Sequence, residues 1–469
     1  MAPRFDVLLK NGWAVDPTTG LNGLVDVGVA GGRIAEITPD LDPARAAEVF
    51  DVAGTHVVPG IIDLHMHASE WLGGRWGHKM MARVGVTTAL DMSGPVGSVM
   101  RMLRDHGTGL NIACIEAVRP GLTVRDSDPD RAELEGLLRT ALSGGAIGIK
   151  LLGGHYPLTP EATARAIATA NAQRAYVAFH AGTTEQGSNI EGFLQAAELA
   201  AGNSVHIAHI NSYCRGTVRP HIQETEEAIA VLVAHPNLRS ENYLSPLNGT
   251  SAKCSGGAPE SRVTQQCLKV GGFPPTEAGF EAAILEGWAE INVEAGGEVV
   301  LATGKPAVEF WRGRGSDTTV SFRVNPPEPR LRLATAKRPD GEFVVDCIST
   351  DGGGIPRNVI VEMGLALVNL QALTLSEFVR KTSTNPARVL GLANKGRLAV
   401  GSDADITVVD LAARKAILSL ANGAVIMYHG YVCGRGGRMI TTAAGRAAVD
   451  AAGLTPIVVE VGEGGFYRS

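Results

Sequence analysis

The sequence predicts an α/β chain: a parallel (β/α)8 barrel, a small β domain beside it, and a subdomain inserted before the eighth strand. Three observations predict this. Apolar, strand-like runs alternate with helical stretches through the middle of the chain, the pattern of βαβ units. Short strand-and-turn segments lie at both ends. A long stretch rich in proline and glycine interrupts the alternation late, where compact domains place lids or binding loops.

The elements follow in order. Residues 1–57 read as one part of the small β domain. Asp6–Gly12 and Val25–Val29 are strand-like, and Gly31-Gly32-Arg33 reads as a hairpin turn. Residues 58–392 form the barrel, with candidate strands ending near His67, Met92, Val118, Lys150, His180, His209, Leu244 and Asp351. Glu161–Ala170 is a representative helix, with Thr159 as its N-cap and Pro160 at its first position. Residues 247–342 are the inserted, lid-like subdomain, with one strand at Glu298–Ala302. Residues 393–469 return to the small β domain through Lys395–Asp410 and its acidic turn, then end in a tail from Thr441. That tail is expected on the surface or against a neighbouring subunit.

Composition excludes several function classes. The chain has 469 residues, 45% hydrophobic and 19% charged, the balance of a globular protein with a large core. A formal net charge of −6 argues against nucleic acid or an anionic membrane surface as partner. The N-terminus has no apolar stretch of signal-peptide length. No run of about 18 apolar residues exists to span a membrane. The six cysteines are scattered without a C-x-x-C pair, so neither a disulfide framework nor a cysteine-rich zinc site is expected. The cytoplasm is the expected compartment.

The chemistry-bearing residues stand at strand ends, where barrels build their sites. His65 and His67 close the run Val57-Val58-Pro59-Gly60-Ile61-Ile62-Asp63-Leu64-His65-Met66-His67. Two residues apart on a strand, they point the same way and can grip one metal ion. Lys150 ends Gly144–Lys150. His180 ends Ala175–His180, and His209 ends Val205–His209. His206, three residues before His209, faces away and is structural. Asp351 follows the apolar strand Phe343–Thr350 and precedes three glycines, where backbone can turn close to a ligand.

The string from Val57 to His67 resembles the first-strand signature of the amidohydrolase superfamily, metal-dependent (β/α)8-barrel hydrolases. The resemblance spans Asp6 to about Arg438. It implies a β-sandwich for the small domain. It implies that Lys150 captures carbon dioxide as a carbamate, in a Gly-Ile-Lys context similar to dihydroorotases, hydantoinases and isoaspartyl dipeptidases. It also implies metal-ligand roles for His180, His209 and Asp351. Together these give four His, one modified Lys and one Asp around two divalent ions, with zinc the expected metal. Two cations make hydroxide near neutral pH, which attacks an amide carbonyl. Asp351 then serves as general base and general acid.

Tyr156 follows Lys150 in a Gly-Gly-His-Tyr-Pro stretch and is the candidate oxyanion donor, with His155 the weaker candidate. Arg357, Arg215 and Arg219 are candidates to hold a substrate carboxylate. The seventh-strand stretch Glu241-Asn242-Tyr243-Leu244-Ser245-Pro246 and the long insertion resemble N-acyl-D-amino-acid deacylases. Two departures oppose that reading. The second strand, Val86–Met92, lacks a metal-bridging Cys, and Asn211 stands where those enzymes tend to carry a substrate-binding Lys. The expected substrate is therefore a small cyclic amide, imide or ureide that is ring-opened, with a linear N-acyl-D-amino acid as the alternative. A deaminase and a non-catalytic barrel are the remaining readings. A homo-oligomer is expected by analogy with relatives.

Overall fold

The computed structural model describes residues 4–467. The ends of the chain, residues 1–3 and 468–469, lie outside the described residues, so the last two residues of the predicted tail carry no structural statement.

The middle of the chain is a parallel α/β body. Its strands in order are Ile61–His67, Val86–Asp91, Thr108–Cys114 continued by Glu116–Val118, Gly148–Leu152, Tyr176–His180, Val205–Ile207, Leu238–Tyr243, and Cys347–Ser349 continued by Gly352–Gly353. Every ladder between successive strands is parallel. The third strand breaks at Ile115. Before the break it pairs with the second strand, and after it with the fourth. The eighth strand breaks likewise. Cys347–Ser349 pairs with the seventh strand, and Gly352–Gly353 pairs with the first. The order of pairing therefore returns to its start, which sets all strand C-termini around one mouth.

Helices cross between the strands as the alternation predicts. Pro160–Ala172 has Thr159 as N-cap, its hydroxyl accepting from the Ala162 N–H, and proline in the first turn. Its buried face is Ala162, Ala166, Ile167 and Ala170, an i, i+4, i+5, i+8 stripe toward the strands. No helix among the described residues is long and apolar enough to cross a membrane.

The two chain ends meet in one nine-stranded sheet. Ile406–Asp410 runs antiparallel to His56–Pro59, with Val408 opposite Val57. Val7, Leu9, Val27, Val57, Ile406 and Leu418 share its apolar core. The predicted hairpin turn lies between Leu21–Ala30 and Arg33–Thr38, with Gly31 and Gly32 both at positive φ as a tight turn of this hand requires.

The insertion has its own four-stranded antiparallel sheet, in the order Asn248–Ser251, Thr319–Phe322, Ala289–Ala295, Glu298–Ala302. Phe280, Ile291, Trp311 and Phe322 are buried in its separate core. The helix Pro327–Thr335 is different. Glu328 accepts from Thr225, and Arg332 pairs with Glu226, both on the helix that follows the sixth strand. The self-contained part of segment 247–342 therefore ends near Phe322. The insertion reaches the turn and helix after the first strand through ion pairs of Glu294 with Arg75 and Glu298 with Arg83, the last residue of the helix Gly77–Arg83.

The tail departs from the sequence reading. Gly436–Thr441 leaves the nine-stranded sheet and pairs in parallel with Thr108–Cys114 of the third strand. It also pairs with Thr455–Val458. Phe466 stacks on Tyr176 at 4.5 Å, and the Tyr467 hydroxyl donates to the Ala175 carbonyl. The break at Ile115 frees one edge of the third strand, and the tail satisfies its backbone groups.

Candidate metal centre at the strand ends

His65 and His67 sit on one face of a first strand that is buried along its whole length. Their ring centroids are 5.1 Å apart. The sixth strand stops at Ile207, two residues before its predicted end. The chain then turns left-handed at His209, with φ 43°. Such a backbone is costly for a residue with a Cβ. Glu241 offsets the cost by accepting the His209 N–H at 2.7 Å. The turn stacks the His209 ring on His65 at 5.2 Å and sets it edge-on to His180 at 4.5 Å. The four histidines from the first, fifth and sixth strands thus form one chain of rings.

Asp351 enters from the break in the eighth strand, also left-handed, with φ 50°. Its Oδ1 lies 2.9 Å from His67 Nε2 and 3.2 Å from His65 Nε2. Its Oδ2 accepts from Arg357 at 2.7 Å, and its backbone carbonyl accepts from Arg357 Nε. Burial works to raise the Asp351 pKa, but the charges around it, Arg357 foremost, outweigh burial and hold the carboxyl well below its usual range.

His65 shows why a cation belongs here. Its Nδ1 is hydrogen-bonded to Glu241 Oε1 at 2.7 Å, as the donor when that carboxyl is ionised. Burial pushes the imidazole well below its ordinary pKa, so the ring is neutral and Nε2 carries a lone pair. That lone pair faces a carboxylate oxygen at 3.2 Å. Two acceptors face to face are repulsive unless a cation lies between them. His65, His67 and Asp351 each offer a ligand atom within 4.8 Å of the others, and all three are buried. Burial likewise holds His180 and His209 neutral, the form that ligates a metal. These residues fit a divalent metal ion.

Lys150 is 1% exposed, so its amine is an interior group. Its Nζ meets Met92 Sδ at 3.0 Å, a weak acceptor from the end of the second strand. Burial lowers its pKa, opposed by Glu241 and Asp351.

The remaining predicted residues divide. Arg357 is 3% exposed and stacked over Tyr243, so it is an interior residue rather than a surface arginine. Arg215 donates to Asn325, Ser212, Tyr243 and Asn248, joining the mouth to the insertion. Asn211 accepts from the Tyr243 N–H, while its buried Nδ2 has no partner among the described residues. His155 lies edge-on to His180 at 5.5 Å. Tyr156 is half-buried in the turn after Leu152. Arg219 pairs with Glu191 and Glu227 on the helix side of the loop. His206 is hydrogen-bonded through Nδ1 to Tyr176, and its Nε2 lies 4.0 Å from Glu241 Oε1.

Two carboxylates at the centre were not singled out from sequence. Glu241 is fully buried on the seventh strand, and burial raises its pKa. Asp63 accepts from the His65 and Thr350 N–H groups and the Thr350 hydroxyl, tying the eighth strand to the first. Burial pushes its carboxyl up to about 7. The available signal was an ionisable residue inside a run that is otherwise strand.

Residues 336–436 match the Amidohydrolase family. N-acyl-D-glutamate deacylase of Alcaligenes xylosoxydans xylosoxydans is 24% identical over 87% of this chain and 88% of its own length. An allantoinase of Deinococcus radiodurans is 27% identical over 87% of each chain. Among solved structures, N-acyl-D-glutamate deacylase of Bordetella bronchiseptica, complexed with zinc and a phosphonate inhibitor, matches with TM-score 0.64. It is 17% identical, over 92% of this chain and 99% of that one, a likeness of fold. These relatives are hydrolases that act on carbon–nitrogen bonds.

Proposed function

We propose that the protein is a binuclear metal-dependent amidohydrolase that ring-opens a small cyclic amide, imide or ureide, built as a (β/α)8 barrel with a β-sandwich domain. The observation that carries the reading is the buried Lys150 amine within electrostatic reach of His65 and Asp351, with a thioether sulfur as its hydrogen-bond partner among the described residues. A buried amine held toward its neutral form is the form that adds carbon dioxide, and the carbamate supplies the missing anionic ligand. His65, His67, His180, His209, Asp351 and carboxylated Lys150 would hold two divalent ions, zinc in the first instance. Such ions supply a Lewis acid for the amide carbonyl and lower the pKa of bound water.

The chain's own residues do the rest. Asp351 takes the proton of the attacking water on its carboxylate and delivers it to the departing nitrogen. Arg357 holds that carboxylate in place at 2.7 Å. Tyr156 donates to the developing oxyanion, with His155 beside it. Arg215 is the candidate to orient a polar group of the substrate where the insertion meets the mouth. A second reading, hydrolysis of a linear N-acyl-D-amino acid, is supported by the self-contained insertion and by the deacylase relatives. Against it stands Met92 at the second-strand end, where no cysteine is available to bridge metals.

A hydrolysis screen separates the two. Hydantoins, cyclic imides, lactams, and N-acetyl D- and L-amino acids are supplied to metal-loaded enzyme, with ammonia release followed in parallel. Ring-opening of a cyclic substrate is expected. Turnover confined to N-acetyl-D-amino acids establishes the second reading, and ammonia release alone establishes a deaminase.

A further inference from the structure

Glu241 lies in the middle of the seventh strand, Leu238–Tyr243, and is 0% exposed. Its carboxylate joins three other strands. Oε1 accepts the His65 Nδ1–H at 2.7 Å and the His209 N–H at 2.7 Å, and Oε2 accepts the Ser349 hydroxyl. His65 comes from the first strand, His209 from the turn after the sixth, and Ser349 from the eighth.

We infer that Glu241 is the positioning residue of the metal centre, fixing His65 as the Nδ1–H tautomer and holding the left-handed turn that presents His209. The argument is one of atoms. A neutral imidazole carries one proton, and a carboxylate accepts but does not donate. An ionised Glu241 against Nδ1 therefore leaves Nε2 as the bare nitrogen, and Nε2 is the atom that faces Asp351 at 3.2 Å. The same oxygen anchors the His209 N–H, so orientation of two ligands depends on one carboxylate. A carboxylate behind a metal-bound histidine also raises the basicity of that ligand. Glu241 is placed to act through these histidines, not to touch substrate. The role rests on the proposed metal centre.

The test uses the full-length protein and zinc. The zinc dissociation constants of wild type and Glu241→Gln are measured by competition with a chromogenic chelator, alongside thermal unfolding of both metal-free proteins. Gln keeps the shape and one acceptor oxygen but removes the charge. The expected result is zinc affinity weakened about 10- to 100-fold, with unfolding of the metal-free protein near wild type. Unchanged zinc affinity in a folded Glu241→Gln protein overturns the inference, whatever its activity. Should that variant fail to fold, 15N-histidine spectra of the zinc-loaded wild type decide, the His65 signal being assigned by its loss in His65→Gln. A protonated Nδ1 on His65 supports the role, and a protonated Nε2 overturns it. Wild-type protein that binds no zinc or other divalent ion removes the metal-centre reading itself, a result distinct from both.

Discussion

Two buried lysines stand at opposite ends of the parallel strands, and their surroundings differ. Lys395, 4% exposed, lies at the N-terminal end of the parallel strands. Its Nζ is 2.7 Å from Asp405 and 3.1 Å from Asp403. Asp405 also accepts from Asn111, Thr88 and the Asn422 N–H, knitting the nine-stranded sheet to the second and third strands. Lys150, at the C-terminal end, has a sulfur. A buried cation with carboxylate partners is the ordinary solution for structure. A buried amine without one is a departure from that rule, and such departures gather where chemistry is done. The contrast separates the end of the fold that holds the protein together from the end proposed to react.

Substituting each lysine is the strongest way to break the comparison. Lys150→Met is expected to remove metal bridging and to lower turnover by orders of magnitude, while urea unfolding of the metal-free protein stays within about 1 kcal/mol of wild type, since no strong partner is lost. Short-chain carboxylates should restore part of the activity of Lys150→Ala. Lys395→Met should do the reverse. It leaves Asp405 buried without its cation and should cost about 3–5 kcal/mol of stability, with metal content preserved in the folded fraction. If Lys150→Met keeps full metal content and rate, the functional half of the contrast is gone.

Asp351→Asn is next in size. It keeps the shape but removes the proton acceptor, so turnover should fall by about 10²–10⁴-fold with the fold intact by circular dichroism. Near-normal turnover would remove Asp351 from the mechanism.

A third buried lysine sharpens the structural half. Lys381 donates to the Val345 carbonyl at 2.7 Å, and burial pushes its pKa down to about 7. The unfolded chain then binds a proton between pH 7 and about 10.4 that the folded chain does not. Stability should therefore rise with pH across that window and gain nothing from this group below it, by up to about 5 kcal/mol in total. Denaturant unfolding at a series of pH values checks this. Lys381→Met should flatten that part of the curve, and an unchanged slope contradicts the assignment.

The smallest effects are expected from two arginines of the loop after the sixth strand. Arg215→Ala should raise KM roughly 10- to 100-fold, the scale of a lost charged hydrogen bond, with little change in kcat. Arg219→Ala should leave KM and Tm unchanged. Equal effects of the two on KM would return Arg219 to the site.

These arginines show where reading the sequence stops. Both follow the sixth strand by a few residues, and nothing local distinguishes them. What decides is Asn325 and Asn248 near one, and Glu191 and Glu227 near the other. The centre itself was legible because period-two geometry and strand ends are local: His65, His67, His180, His209 and Asp351 come together as placed, and Lys150 is buried beside them. Glu241 was not legible. Leu238–Tyr243 is buried on both faces, so it shows no alternation by which an inward carboxylate could be picked out. The strand Gly436–Thr441 was misplaced for a related reason. Its partner, Thr108–Cys114, is more than 300 residues earlier, and a parallel pairing leaves no turn signal to announce it.

The central claim is that the reactive end holds two metal ions bridged through Lys150. The most direct test is the divalent metal content per chain of wild type and Lys150→Met, prepared alike and measured by mass spectrometry together with amide hydrolysis. About two ions per wild-type chain, a lower content in the variant, and loss of hydrolysis on chelation are the results the account predicts. Amide hydrolysis by wild-type protein that holds no metal would contradict it.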